Sequence, residues 1–486
     1  MIFNSYTFIL FIVIVFIVFY ILRDKEIKGQ SLKKIWLFVA SVFFYSYGCI
    51  EGLAILIISI LFNYFIGNKM IKIEGKKRKG IFVFAVIMNL LTLVSFKYTT
   101  FLVNSINEIA KTDFNFTNII LPLGISFYTF TQLAYIIDVY KGFKEKYSIW
   151  DYSLFVMIFP SVTSGPITDH KEMIPQFSKK SKLNFENIAI GLSFFIIGLF
   201  KKVIIADKIA PWVNEVFNNT ASITFLEGWI GALGYTLELF FDFSGYSDMA
   251  IGIGKIFNID FPINFNSPYQ ANSITEFWRR WHISLSTWIK NYIYIPLGGN
   301  RKGEIKKYRN LLVTMILCGI WHGAGLNFIF WGALHGIYQI INNLWKKTKI
   351  VIPKFIARLL TFCSVMIGWI FFRATTMKDG VKVLIKLFDF KSITINQMYS
   401  NKLGFLKNFG IKFDNIVSSF SVPKAMTIII LLLILLMFIP SSQKIVYKFV
   451  RSKNKSIIFA IILGIIATFA LFNLGQSQSA FIYYNF

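Results

Sequence analysis

Long apolar runs separated by short clusters of lysine and arginine dominate this chain, and they decide what it can fold into. The runs at 8–22, 52–66, 81–104, 425–440 and 456–474 approach the about 20 residues that carry a helix across a bilayer. The clusters at 69–79, 171–182, 301–309, 346–358 and 444–455 follow the positive-inside pattern of a chain that crosses many times. Composition agrees. The 486 residues are 55% hydrophobic and 15% charged, where soluble domains carry about 25% charged residues. A soluble fold of this length has no interior large enough for that apolar surface, and the same numbers exclude disorder. Fifty-one Lys and Arg against 24 Asp and Glu give a net charge of +27. In a soluble protein that excess would suggest nucleic acid. Here the topology loops account for it, and no nucleic-acid partner is expected. Cys49, Cys318 and Cys363 lie in apolar surroundings, so neither a disulfide framework nor a metal site is expected. The run 8–22 lacks a preceding basic region and a following small-residue cleavage site, which reads as a retained helix.

Threading with the basic loops inside gives helices near 5–22, 35–50, 52–66, 81–104 and 119–137, the second and third turning at Glu51-Gly52. The segment 151–168 contains Pro160, Gly165 and Pro166 between two basic flanks. A re-entrant piece keeps both flanks inside, and broken backbone at membrane depth is tolerated where protein buries it. The same logic makes 310–342 two helical arms meeting at Gly323-Ala324-Gly325. Further helices are expected near 356–373, 425–440 and 456–474, with surface helices in the outer stretch 374–424 and 476–479 outside. The expectation is an all-α polytopic membrane protein of about ten to twelve spans plus re-entrant pieces. It forms one domain over 1–486 in the cytoplasmic membrane, with both termini extracytoplasmic.

Four histidines are present: His170, His282, His322 and His335. His322 lies in an apolar run beside Gly323-Ala324-Gly325. Ionisable groups at membrane depth point to function, and imidazole can act as a general base near neutrality. Ser273 and Glu276 read as a capping box opening a helix to about Tyr292. On it Trp278, Trp281, Leu285, Trp288 and Tyr292 share one face, and Thr275, Arg279, His282 and Ser286 another. His335 follows His322 by thirteen positions, about 20 Å along a straight helix, which suggests packing or support. His170 reads as a surface residue near a basic loop. Glu238 and Asp242 share a helical face at i, i+4, and Asp248 follows. Pairing with Arg279 or Arg280 would hold the 273–292 helix; a proton pathway is the other reading. No phosphate-binding GxxxxGK[ST], zinc HExxH or GxSxG elbow is present.

The blocks PLGISFYTFTQLAYIIDVY (122–140), PSVTSGPI (160–167), FDFSGYSDMAIGIGK (241–255), PINFNSPY (262–269), RRWHISLSTW (279–288), LGGNRKG (297–303), WHGAG (321–325) and the terminal FIYYNF (481–486) carry a resemblance. The chain is similar to the membrane-bound O-acyltransferase family, in its bacterial branch of alginate O-acetyltransferase membrane subunits. The likeness covers nearly the whole chain and is most specific over 121–340. Ser161–Ser164 is more polar than the stretch usual there, and Asn291 stands where an acidic residue is common.

The resemblance implies a bundle around a central tunnel with a catalytic histidine at His322 and a second active-site histidine at His282. It also implies transfer of an acyl group, usually acetyl, from an inner thioester donor such as acetyl-CoA or an acyl carrier protein, with no tightly bound cofactor. The acceptor would be an extracytoplasmic polysaccharide, reached with an extracytoplasmic partner protein resembling an acyltransferase or esterase. Arg279, Trp321 and Asn327 would contact substrate, Asn327 as a donor to the developing oxyanion. Glu238, Asp242 and His335 would play supporting roles. Three alternatives stay open: D-alanyl transfer to teichoic acid, a transporter or flippase coupled through the acidic residues, and a non-catalytic scaffold.

Overall fold

In lipid every backbone polar group must be satisfied within the protein, and a helix does this within one segment. The computed structural model describes all residues except 28, 115–119, 180–181, 410, 415–418, 453, 476–480 and 483–486. Helices carry the architecture, and among the described residues β-structure is limited to two two-stranded pairs. The expected start of a helix at 119, the outer segment 476–479 and the last four residues of FIYYNF lie outside the described residues.

Among the described residues, five helices are long and apolar enough to cross a bilayer: Ile50–Ile71, Gly75–Lys97, Phe185–Asn218, Lys354–Arg373 and Ser456–Asn473. The pair Val422–Phe438 and Ser442–Val450, bent by 62°, is apolar enough to form a broken span or a re-entrant loop. Their burial is inverted relative to a soluble helix. On Ser456–Asn473 only Leu463 and Ala470 are buried, while Ile457, Ile461, Ile465 and Phe472 face outward. That is the surface lipid covers. The larger expected number of spans counted shorter helices as well: Tyr6–Leu22, Leu32–Gly48 and Ile125–Lys141 have 17 residues each, just short of the about 20 that span a bilayer.

Phe225–Ile256 is the central pillar. Thr224 and Glu227 form a reciprocal capping box at its start. Its 32 residues extend about 48 Å at the usual rise, and nearly all are buried. The apolar span beside it is interrupted by a π-helical segment, Lys201–Ala206, a wide turn of the kind that often marks functional sites. That turn brings both Lys201 and Lys202 to acidic partners on the pillar.

The break expected inside 310–342 is present: Glu304–His322 and Leu326–Thr348 form a hairpin. Its arms approach closely through small residues. A Cβ at Gly332 would lie 2.3 Å from the Met315 carbonyl oxygen, and one at Gly319 would lie 2.2 Å from that of Phe328. The segment 151–168 is a short helix, Ile149–Met157, followed by buried turns. The hairpin at 32–71 turns at Cys49, two residues earlier than expected.

Candidate active site

His322 is the last residue of its helix, and Gly323 continues in extended backbone. A helix end leaves carbonyls without partners. Here Lys97 and Tyr98, from the end of Gly75–Lys97, supply them. The Lys97 ammonium donates to the carbonyl oxygen of Trp321 and, at 3.3 Å, to that of His322. It also reaches Ser126 Oγ at 3.2 Å and lies 5.7 Å from the Trp321 ring centroid. The Tyr98 hydroxyl donates to the carbonyl of Ile320. A cation at a helix C-terminus also complements the helix dipole. Sequence reasoning missed Lys97, although a lysine inside the run 81–104 is the signal that marks function at membrane depth.

The His322 side chain is 3% exposed. The rings of Trp321, Trp331 and Phe372 surround it, with centroids at 4.8, 5.1 and 5.1 Å. His335, on the other arm, meets the same Trp331 at 4.9 Å. His282 meets Trp321 at 6.5 Å and Phe243 at 4.7 Å. Three of the four histidines therefore form one layer across two tryptophans. The expected separation of His335 is corrected: helical rise does not apply across a break, and the chain folds back. Both His335 ring nitrogens lack hydrogen-bond partners among the described residues.

The single helix expected over 273–292 is also corrected. It is Ile274–Arg280, a break, Ile283–Ile289 and then a π-helical turn. His282 stands at the break with φ +43°, a left-handed conformation uncommon outside glycine. The segment 261–267 satisfies the groups the break exposes. The Asn264 carbonyl accepts from the Ile283 N–H at 3.0 Å, its side-chain oxygen accepts from Ser284, and the Asn266 N–H donates to the Arg280 carbonyl. His282 and Arg279 therefore do not share a polar stripe. His282 is fully buried, and Arg279 lines a cavity. Ser273 caps the first helix, but Glu276 reaches the N–H of Asn272 rather than that of Ser273, so the capping box is half formed.

Two cavities approach the histidine layer. The larger, about 1040 Å³, has Arg279, Lys290, Arg301, Lys302 and Lys307 in its walls and runs along the hairpin to Cys318, one turn before His322. The other, about 510 Å³, meets the hairpin beyond the histidine, at Ala324, Asn327 and Phe328, and is also lined by Phe372 of Lys354–Arg373. Asn327 lines this cavity, but its amide nitrogen donates to the carbonyls of Phe371 and Ala374 at 3.3 and 2.8 Å. Both of its protons are thus engaged, which corrects its expected role as oxyanion donor.

The acidic residues do not pair with Arg279 or Arg280, a further correction. Lys202 pairs with Asp242 at 2.5 Å and with Asp207 at 2.9 Å, and Asp242 also accepts the backbone N–H of Ile482 at 3.0 Å. Asp248 pairs with Lys201 at 2.7 Å and accepts the Ser442 hydroxyl. Arg280 pairs with Glu276 on its own helix. The π-helical turn supplies these lysines from another element, which sequence proximity could not indicate. His170 is not a surface residue. It is fully buried, 3.0 Å from the Tyr147 hydroxyl through Nδ1 and 3.2 Å from Asp138 through Nε2. Asp138 also takes Lys171 at 2.6 Å and the Tyr292 hydroxyl at 2.9 Å.

A family model described as the membrane-bound O-acyltransferase family matches residues 139–378, which include all four histidines. The chain is 38% identical to the peptidoglycan O-acetyltransferase of Helicobacter pylori, over 100% of this chain and 98% of the relative. It is 38% identical to the probable alginate O-acetylase AlgI of Pseudomonas aeruginosa, over 82% of this chain and 77% of that one. The teichoic acid D-alanyltransferase of Bacillus subtilis is 31% identical over 47% of this chain and 61% of its own.

Proposed function

The chain belongs to the membrane-bound O-acyltransferase family, and from that premise we propose that it moves an acetyl group from a cytoplasmic thioester toward an extracytoplasmic polysaccharide, with His322 as general base. One observation carries the reading: His322 stands at a helix break between two cavities, one lined by Cys318 before it and the other by Ala324 and Asn327 after it. The basic walls of the larger cavity suit a phosphate-bearing donor, and together with the positive-inside rule they support a cytoplasmic location for that side. Both termini then face outward.

Chemistry proceeds at the layer. The acceptor O–H gives its proton to the His322 imidazole as its oxygen attacks the thioester carbonyl. The tetrahedral intermediate collapses, the C–S bond breaks, and the leaving sulfur takes the proton from the imidazolium. Packing the ring among Trp321, Trp331 and Phe372 excludes water from the acyl group. His282, held at its break against Trp321, orients the donor end together with Arg279. Transfer onward to polymer involves an extracytoplasmic partner. The ion-coupled transporter reading loses its basis at Asp242 and Asp248, each of which is already paired with a lysine.

The test uses membranes holding the full chain, labelled acetyl-CoA or D-alanyl carrier protein, and label followed to surface polymer. Acetyl label reaching polymer in wild type but not in His322→Ala is the expected result. Transport without ester formation, or transfer by His322→Ala at the wild-type rate, overturns the reading.

A further inference from the structure

On one face of the last helix a charge stands at the head of an apolar stripe. Lys455, Ile458, Phe459, Ile462, Leu463 and Ile466 recur at helical spacing and form one wall of a third cleft, of about 530 Å³. Leu435, Leu436 and Ile439 line it from the bent pair Val422–Phe438 and Ser442–Val450. From Lys455 to Ile466 the stripe runs about 16 Å at the usual rise, close to half of the about 30 Å hydrocarbon core. The cleft is therefore one leaflet deep. It shares no lining residue with the two cavities at the histidine layer. Polar groups at the bend are mostly satisfied. The Gln270 amide donates to the carbonyls of Leu436 and Ile439 at 2.9 and 2.7 Å. The Ser442 hydroxyl donates to Asp248 and accepts from Lys201, both at 2.7 Å. Gln443 differs. It lines the cleft and is 8% exposed, and its side-chain oxygen has no hydrogen-bond partner among the described residues. A buried acceptor without a donor is costly and calls for an explanation.

We propose that this cleft binds one molecule of phosphatidylglycerol, with an acyl chain along the 458–466 face, the phosphate at Lys455 and a glycerol hydroxyl donating to the Gln443 side-chain oxygen. Three observations select this occupant. The first is depth. The stripe stops at Ile466, one leaflet from its charge, whereas a partner's transmembrane helix would use the whole of Ser456–Asn473. The second is charge. Lys455 is exposed at the head of the stripe, and Lys444 and Lys448 are exposed on Ser442–Val450, the helix that carries Gln443. The acidic groups nearby are taken, Asp248 by Lys201 and Glu186 by Arg451. The surplus cations favour an anionic headgroup over a zwitterionic one. The third is the orphan acceptor. An amide oxygen needs a donor, which the glycerol headgroup supplies and a phosphatidylcholine headgroup lacks. The basic loop 444–455 supports an inner-leaflet location. Seated there, the lipid braces the bend that brings Ser442 to Asp248 on the pillar.

The experiment titrates the purified, delipidated full chain in detergent with phosphatidylglycerol, phosphatidylethanolamine or phosphatidylcholine of one acyl composition. Native mass spectrometry counts bound lipid, and thermal unfolding follows stability. One phosphatidylglycerol per chain is expected, bound about tenfold more tightly than phosphatidylcholine, with a raised unfolding temperature. Gln443→Met should weaken binding about threefold to tenfold, and Lys455→Gln about fivefold. Lys444→Gln, whose lysine lies outside the cleft walls, should weaken it by about twofold or less. Ile462→Trp fills the cleft from a position 48% exposed and should remove the saturable site; it decides the matter should Gln443→Met fail to accumulate. Unchanged binding in Ile462→Trp, or equal losses in Lys444→Gln and Lys455→Gln, overturns the site and leaves only a general attraction of the basic loop for anionic lipid. Phosphatidylethanolamine bound as tightly as phosphatidylglycerol overturns the assignment to an anionic glycerol headgroup. A photocrosslinking residue at position 462 that captures a protein in membranes, and no lipid, overturns the assignment to lipid.

Discussion

His170 and His322 are both buried, 0% and 3% exposed, but their surroundings are opposite. His170 sits in a polar clamp: Tyr147 on one nitrogen and Asp138 on the other, with Asp138 further held by Lys171 and Tyr292. Such a clamp fixes ring orientation and tautomer and leaves no nitrogen for a substrate. His322 instead lies among three aromatic rings at the seam of two cavities, and its helix end is held from behind by Lys97 and Tyr98. There the backbone is anchored by Lys97 and Tyr98 while the ring packs against aromatic side chains. Burial alone does not distinguish the two histidines; what contacts each ring does.

The comparison breaks first at His322. Removing a general base costs on the order of 10²–10⁴ in rate. His322→Ala should therefore lose acetyl transfer while its thermal unfolding in detergent stays near wild type. His335→Ala, at matched protein levels, should retain transfer. Equal losses in the two variants would dissolve the distinction between His322 and the rest of its layer. The next effect is on stability. Asp242→Ala leaves Lys202, itself 1% exposed, without one of its two carboxylates. Breaking a buried pair in this way costs about 3–5 kcal/mol. Reduced accumulation and a lowered unfolding temperature are expected. A stable but inactive Asp242→Ala would move this carboxylate into the chemistry.

A smaller loss is expected at the clamp. His170→Ala leaves Asp138 and Tyr147 each short of a partner, at about 1–3 kcal/mol. The change should appear in unfolding temperature, with transfer per folded molecule unchanged. A wild-type unfolding temperature combined with lost transfer would make His170 a second reacting histidine and end the contrast.

The His322 side of this contrast was legible in the chain, and the illegible part has a common cause. Gly323-Ala324-Gly325 inside an apolar run announced the break that carries His322, because glycine at membrane depth permits both the turn and the close approach of the arms. Nothing in Trp281-His282 announces a break. Its exposed backbone groups are satisfied by Asn264 and Asn266, residues the chain brings alongside only in three dimensions. The partners of Asp242 and Asp248 were hidden for the same reason, since the lysines arrive on a π-helical turn 40 and 47 positions away in sequence. His170 looked superficial because its neighbours in sequence are polar. Its burying rings, Tyr135, Phe143 and Phe155, come from preceding segments. Periodicity and punctuation reveal where a helix stops, but not which distant residue satisfies what the stop exposes.

The finest test of the comparison is Tyr147→Phe. The substitution keeps the aromatic ring, which packs 5.7 Å from His170, and removes only the hydroxyl 3.0 Å from Nδ1. Asp138 remains on the other nitrogen at 3.2 Å, so the histidine keeps one of its two anchors. The expected cost is about 1 kcal/mol, at the low end for a buried polar atom that loses its partner. It should appear as a small fall in unfolding temperature, with no change in the KM for thioester or acceptor. If the clamp is structural, Tyr147→Phe and His170→Ala should be non-additive, because the hydroxyl contributes only through the ring it holds. Additive losses would mean that Tyr147 acts elsewhere. A change in either KM would tie the clamp to the cavities and remove the difference between the two buried histidines.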